Sequence, residues 1–79
     1  MTEPSDPLAS AVTVTIASHP RQVKDWLANR PGAWGFLASQ GILAYRNRLG
    51  QRLSDAQRRQ LWAALWTALE RQKSNHPQS

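Results

Sequence analysis

Five arginines, Arg46, Arg48, Arg52, Arg58 and Arg59, fall within fourteen residues that hold a single acid, Asp55. A guanidinium is a permanently charged planar fork whose paired N–H donors match the oxygens of carboxylates and phosphates. The chemistry that such a cluster supports is recognition of oxyanions, on a nucleic acid backbone or on an acidic protein surface. Most of the chain's formal charge of +5 resides there, because residues 1–31 set Arg21, Lys24 and Arg30 against Glu3, Asp6 and Asp25.

Bond-making chemistry has far less to work with. Catalysis needs an activated nucleophile, a tuned acid and base, or a metal, brought together in one pocket. There is no cysteine, so neither a thiolate nor a disulfide is available. His19 precedes Pro20 near the start of a helix, and His76 lies in a polar tail. Glu3 and Asp6 belong to a proline-containing arm and Asp55 to a helix start, while Asp25 and Glu70 have Arg21 and Lys73 nearby for ordinary surface pairs. No glycine-rich phosphate loop has the required spacing. The expectation is a non-enzymatic protein with no catalytic residues, no metal and no cofactor.

The elements that must position the arginines follow from local patterning. Residues 1–10, with Pro4, Pro7, two serines and two acids, read as a disordered arm. In "AVTVTIA", Val12, Val14 and Ile16 alternate with Thr13 and Thr15, which suggests an extended or β segment over 11–17. A lone strand leaves its backbone groups unpaired, so it would need a second copy or a partner's sheet. A first helix is expected at about 19–30, capped by Ser18 and stopped by Pro31 and Gly32. A second spans about 33–49 and closes at Gly50. A third spans about 54–73, opened by Ser54 and Gln57 in a capping box, and residues 74–79 form a polar tail.

The second helix carries "GAWGFLASQGILAY", fourteen residues without a charge. At about 100° per residue, Trp34, Ala38, Gly41, Ile42, Tyr45 and Leu49 share one broad arc, and Phe36 and Leu43 lie roughly opposite. A helix apolar on two faces belongs between neighbours, and Gly35, Ala38, Ser39, Gly41 and Ala44 would permit close approach. The third helix answers with Leu61, Trp62, Leu65 and Leu69 on one face and Trp66 at its edge. Trp34 and Trp62 are expected in the core. Phe36, Leu43 and Trp66 are the candidate apolar contacts, beside the basic surface of Arg46, Arg48, Arg52, Arg58 and Arg59.

The expected fold is therefore mostly α, a small three-helix domain behind the arm and one extended segment. Helix two, the turn "GQRLS" and helix three invite comparison with the helix-turn-helix of DNA-binding proteins. Arg46 stands where that motif prefers a small residue and Arg59 where it prefers an apolar one, and "AVTVTI" lacks the basic side chains of a ribbon-helix-helix strand. No family is assigned. The uncharged stretch is shorter than the roughly 18 residues of a membrane span, and no export signal is evident, so a cytoplasmic address is expected. Two functions are weighed: a protein-binding module or assembly accessory factor, with self-association included, and a nucleic-acid binder whose arginines contact phosphates.

Overall fold

The computed structural model describes residues 6–75, which form four α-helices: α1 (Pro7–Ser18), α2 (Pro20–Leu27), α3 (Ala33–Leu49) and α4 (Asp55–Asn75). The mostly α class holds, but the count of helices and the extended segment need correction. Residues 11–17 are helical, and so are residues 7–10 of the expected arm. Residues 1–5 and 76–79, which include His76 and most of the tail, lie outside the described residues.

The reason for α1 lies in its start and in its second periodicity. Asp6 adopts an extended conformation and its carboxylate accepts the Leu8 N–H at 3.0 Å, with Pro7 in the first turn where no N–H is required. Leu8, Ala11, Val12, Thr15 and Ile16 recur at helical spacing and face the core. Val12 and Ile16 fit both periods, so Val14 and Thr15 decide between them. Val14 is 38% exposed and Thr15 only 2%. The Thr15 hydroxyl donates to the Ala11 carbonyl at 2.7 Å, which satisfies a buried polar group without leaving the helix. With no second strand among the described residues, only the helix satisfies this backbone internally.

Ser18 ends α1 rather than capping the next helix. His19, at φ −131° and ψ 60°, breaks the chain between them, as expected of a residue before proline. The helix α2 is shorter than expected and stops at Leu27. Asn29 then turns left-handed at φ 61°, and the Arg30 N–H donates to the Asp25 carbonyl. Asp25 also meets the Arg30 guanidinium at 3.7 Å, in place of the anticipated pair with Arg21.

At the centre lies α3, packed on α1, α2 and α4. Gly50 closes it at φ 70°, with its N–H donating to the Arg46 carbonyl at 2.8 Å. Four residues later the capping box forms reciprocally: the Gln57 N–H donates to Ser54 Oγ at 3.1 Å, and the Ser54 N–H donates to Gln57 Oε1 at 2.9 Å. Leu37 of α3 and Leu61, Leu65 and Leu69 of α4 are completely buried, joined by Ala11 and Val12 from α1, Val23 and Trp26 from α2, and Leu53 from the turn. Gly41 sets the approach of α4, since a Cβ there would stand 3.3 Å from Leu61 Cδ2. Gly35, expected to serve the same purpose, has open space around it.

Candidate functional site

The five arginines all lie on the corner made by the end of α3, the turn and the start of α4, and all are exposed. They do not form one surface. Arg46, Arg52 and Arg58 line a single concavity of about 340 Å³ with Ile42 and Leu53. Arg58 also lines, with Arg59, a larger groove that adjoins it. Arg48 lines neither. The only carboxylate paired with any of the five among the described residues is Asp55, which accepts from Arg58 Nη2 at 2.6 Å.

The larger groove lies between α3 and α4 and has a volume of about 630 Å³. Ser39, Ile42 and Leu43 line it from α3, and Asp55, Arg58, Arg59 and Trp62 from α4. Leu43 is 47% exposed and Trp62 39% exposed, so a substantial apolar surface stands in water beside charged side chains. Its sequence origin is simple. Ser39, Ile42 and Leu43 are three and four residues apart on α3, as are Asp55, Arg58 or Arg59, and Trp62 on α4, so each set forms one ridge.

The apolar candidates are likewise dispersed. Leu43 belongs to the groove. Phe36 is exposed but occupied on one side by the His19 ring, edge to face at 5.1 Å, across the α1–α2 junction. Trp66 is 45% exposed, yet its ring meets Trp26 of α2 and Trp34 of α3 edge to face, both at 5.2 Å. Lys73, expected to pair with Glu70, places its ammonium 5.5 Å from the Trp26 ring centre instead.

Sequence reasoning missed Trp62 and Ile42 as groove residues. Sequence spacing places Trp62 with the leucine stripe, because Leu61, Leu65 and Leu69 lie on one side of it. The signal against that grouping was its other neighbours, Asp55, Arg58, Arg59 and Trp66, at helical spacings of seven, four, three and four. An aromatic on a ridge that begins with three charged residues sits at the margin of the core.

His19 faces a phenyl ring, and among the described residues no three His, Asp or Glu side chains converge as metal ligands. No helix among them is long and apolar enough to cross a membrane. The fold and the site together define a small helical domain with an arginine-flanked apolar groove. Compared with family models, curated proteins and solved structures, the chain matches none.

Proposed function

We propose that the protein is a non-enzymatic docking module whose α3–α4 groove receives an acidic amphipathic helix of a partner protein. The observation that carries this reading is the groove itself: Ile42, Leu43 and Trp62 line it together with the exposed Arg58 and Arg59. Helix-in-groove recognition needs this combination, an apolar channel for residues at i, i+3, i+4 and i+7 and flanking charge to fix orientation. Asp55 is engaged by Arg58, which leaves the lining net positive and favours a partner of opposite sign. The same sign argues against a second copy of this chain, whose net charge is +5.

The test uses a labelled peptide of about twenty residues, with leucines at helical spacing and glutamates elsewhere. It is titrated by anisotropy at near-physiological salt beside a mixed-sequence DNA duplex and a single strand. We expect saturable peptide binding that weakens at least about tenfold in Trp62→Ala, with helicity retained by circular dichroism. Absence of peptide binding, or equal binding by the variant, overturns the reading. Duplex or single-strand binding that persists at this salt and exceeds that of the peptide transfers the function to nucleic acid. A concentration-dependent dimer by sedimentation would assign the groove to self-association.

A further inference from the structure

The smaller concavity is distinct in composition from the groove beside it. Three of its five lining residues are arginines, and they come from three successive elements: Arg46 from the last turn of α3, Arg52 from the turn, and Arg58 from the first turn of α4. The backbone beneath them is pinned at each step. Gly50 ties back to Arg46, Leu53 is buried between Arg52 and Ser54, and the Ser54–Gln57 box holds the start of α4. Three like-charged side chains thus project from a fixed backbone onto one concavity.

Little on the protein neutralises them. Arg46 and Arg52 make no ion pair and no side-chain hydrogen bond among the described residues. Arg58 has Asp55, whose side chain is 78% exposed, and an ion pair so exposed to water competes weakly with a ligand. Ile42 and Leu53 supply apolar wall, which strengthens a charge-assisted hydrogen bond made against it.

We infer that the Arg46–Arg52–Arg58 concavity binds a single phosphoryl group. A phosphoryl dianion offers several acceptor oxygens to the guanidiniums that line this space and offsets the repulsion among them. A nucleic acid backbone fits less well. Its phosphates repeat along a line and reward an extended basic stripe, whereas Arg48 and Arg59 fall outside this space. Ile42 and Arg58 line both the concavity and the groove, so a phosphorylated side chain at the end of a docked segment would reach it. The inference stands without any occupant in the groove, because the phosphoryl group is its own ligand.

The experiment follows backbone amide shifts of the full chain by NMR during titration with inorganic phosphate at constant ionic strength. Arg46→Ala, Arg52→Ala and Arg48→Ala are run in parallel. Saturable shifts around Arg46, Arg52 and Arg58 are expected, with affinity falling about tenfold in the first two variants and unchanged in the third. Failure to saturate, or equal weakening by all three variants, overturns the pocket in favour of diffuse attraction. A phosphoserine peptide beside its unphosphorylated twin then separates the sources. Preference for the phosphopeptide over free phosphate assigns the group to a protein, and equal affinity assigns it to a free anion. Tighter binding of a DNA duplex than of either, with Arg48 contributing as much as Arg52, rejects the single-group site. Saturable phosphate binding in a protein that does not bind the acidic amphipathic peptide would sink the groove reading and leave the pocket standing.

Discussion

Trp62 and Trp66 stand one turn apart on α4 with similar exposure, 39% and 45%, yet their surroundings assign them opposite work. Trp66 meets Trp26 and Trp34 at edge-to-face geometry and so links α2, α3 and α4. Trp62 makes no aromatic pair among the described residues and lines a groove with two arginines. Exposure alone therefore misranks them. What an exposed aromatic does depends on whether its ring is engaged by other rings, as Trp66 is, or lines an open groove, as Trp62 does.

The strongest test of this contrast is Trp66→Ala. Losing two aromatic pairs and half-buried surface should cost about 2–3 kcal/mol, or roughly 10–20 °C in thermal midpoint, read by circular dichroism. Trp62→Ala should cost less, about 1 kcal/mol, although Trp62 is the less exposed of the two. Equal midpoints for these variants would break the comparison, since burial would then be the whole account. The smallest effect belongs to Lys73→Gln, which removes the cation near Trp26. A loss of about 0.5–1 kcal/mol is expected, shrinking at high salt. A midpoint identical to the parent at low salt would show that the Lys73 ammonium does not bear on the tryptophan cluster.

The same contrast separates what was legible in the residues from what was not. The hinge between α3 and α4 could be read because its determinants are neighbours in sequence: Gly50 relaxes a left-handed turn, and Ser54 and Gln57 satisfy each other's backbone groups three residues apart. The start of α1 is also written locally, in Asp6 and Pro7, but Pro4 and Pro7 among two acids and two serines read equally as an arm. Its interior was ambiguous, since Val12 and Ile16 satisfy a two-residue and a four-residue period alike. Only the packing of the neighbouring helices, with no pairing strand among the described residues, selects the one that buries Thr15 and exposes Val14.

For the candidate site, the sequence determined that five arginines would gather at one corner and that Leu43 and Phe36 would share an outward face of α3. Both follow from chain proximity and from the angular step of a helix. How the arginines are distributed, with Arg46, Arg52 and Arg58 around one concavity, Arg58 and Arg59 along an apolar groove and Arg48 on neither, was decided by tertiary structure. So was the exchange of roles between Trp62 and Trp66. These depend on how closely α4 settles against Gly41 and where α2 crosses. That seating is fixed by packing among residues distant in sequence, which local periodicity does not record.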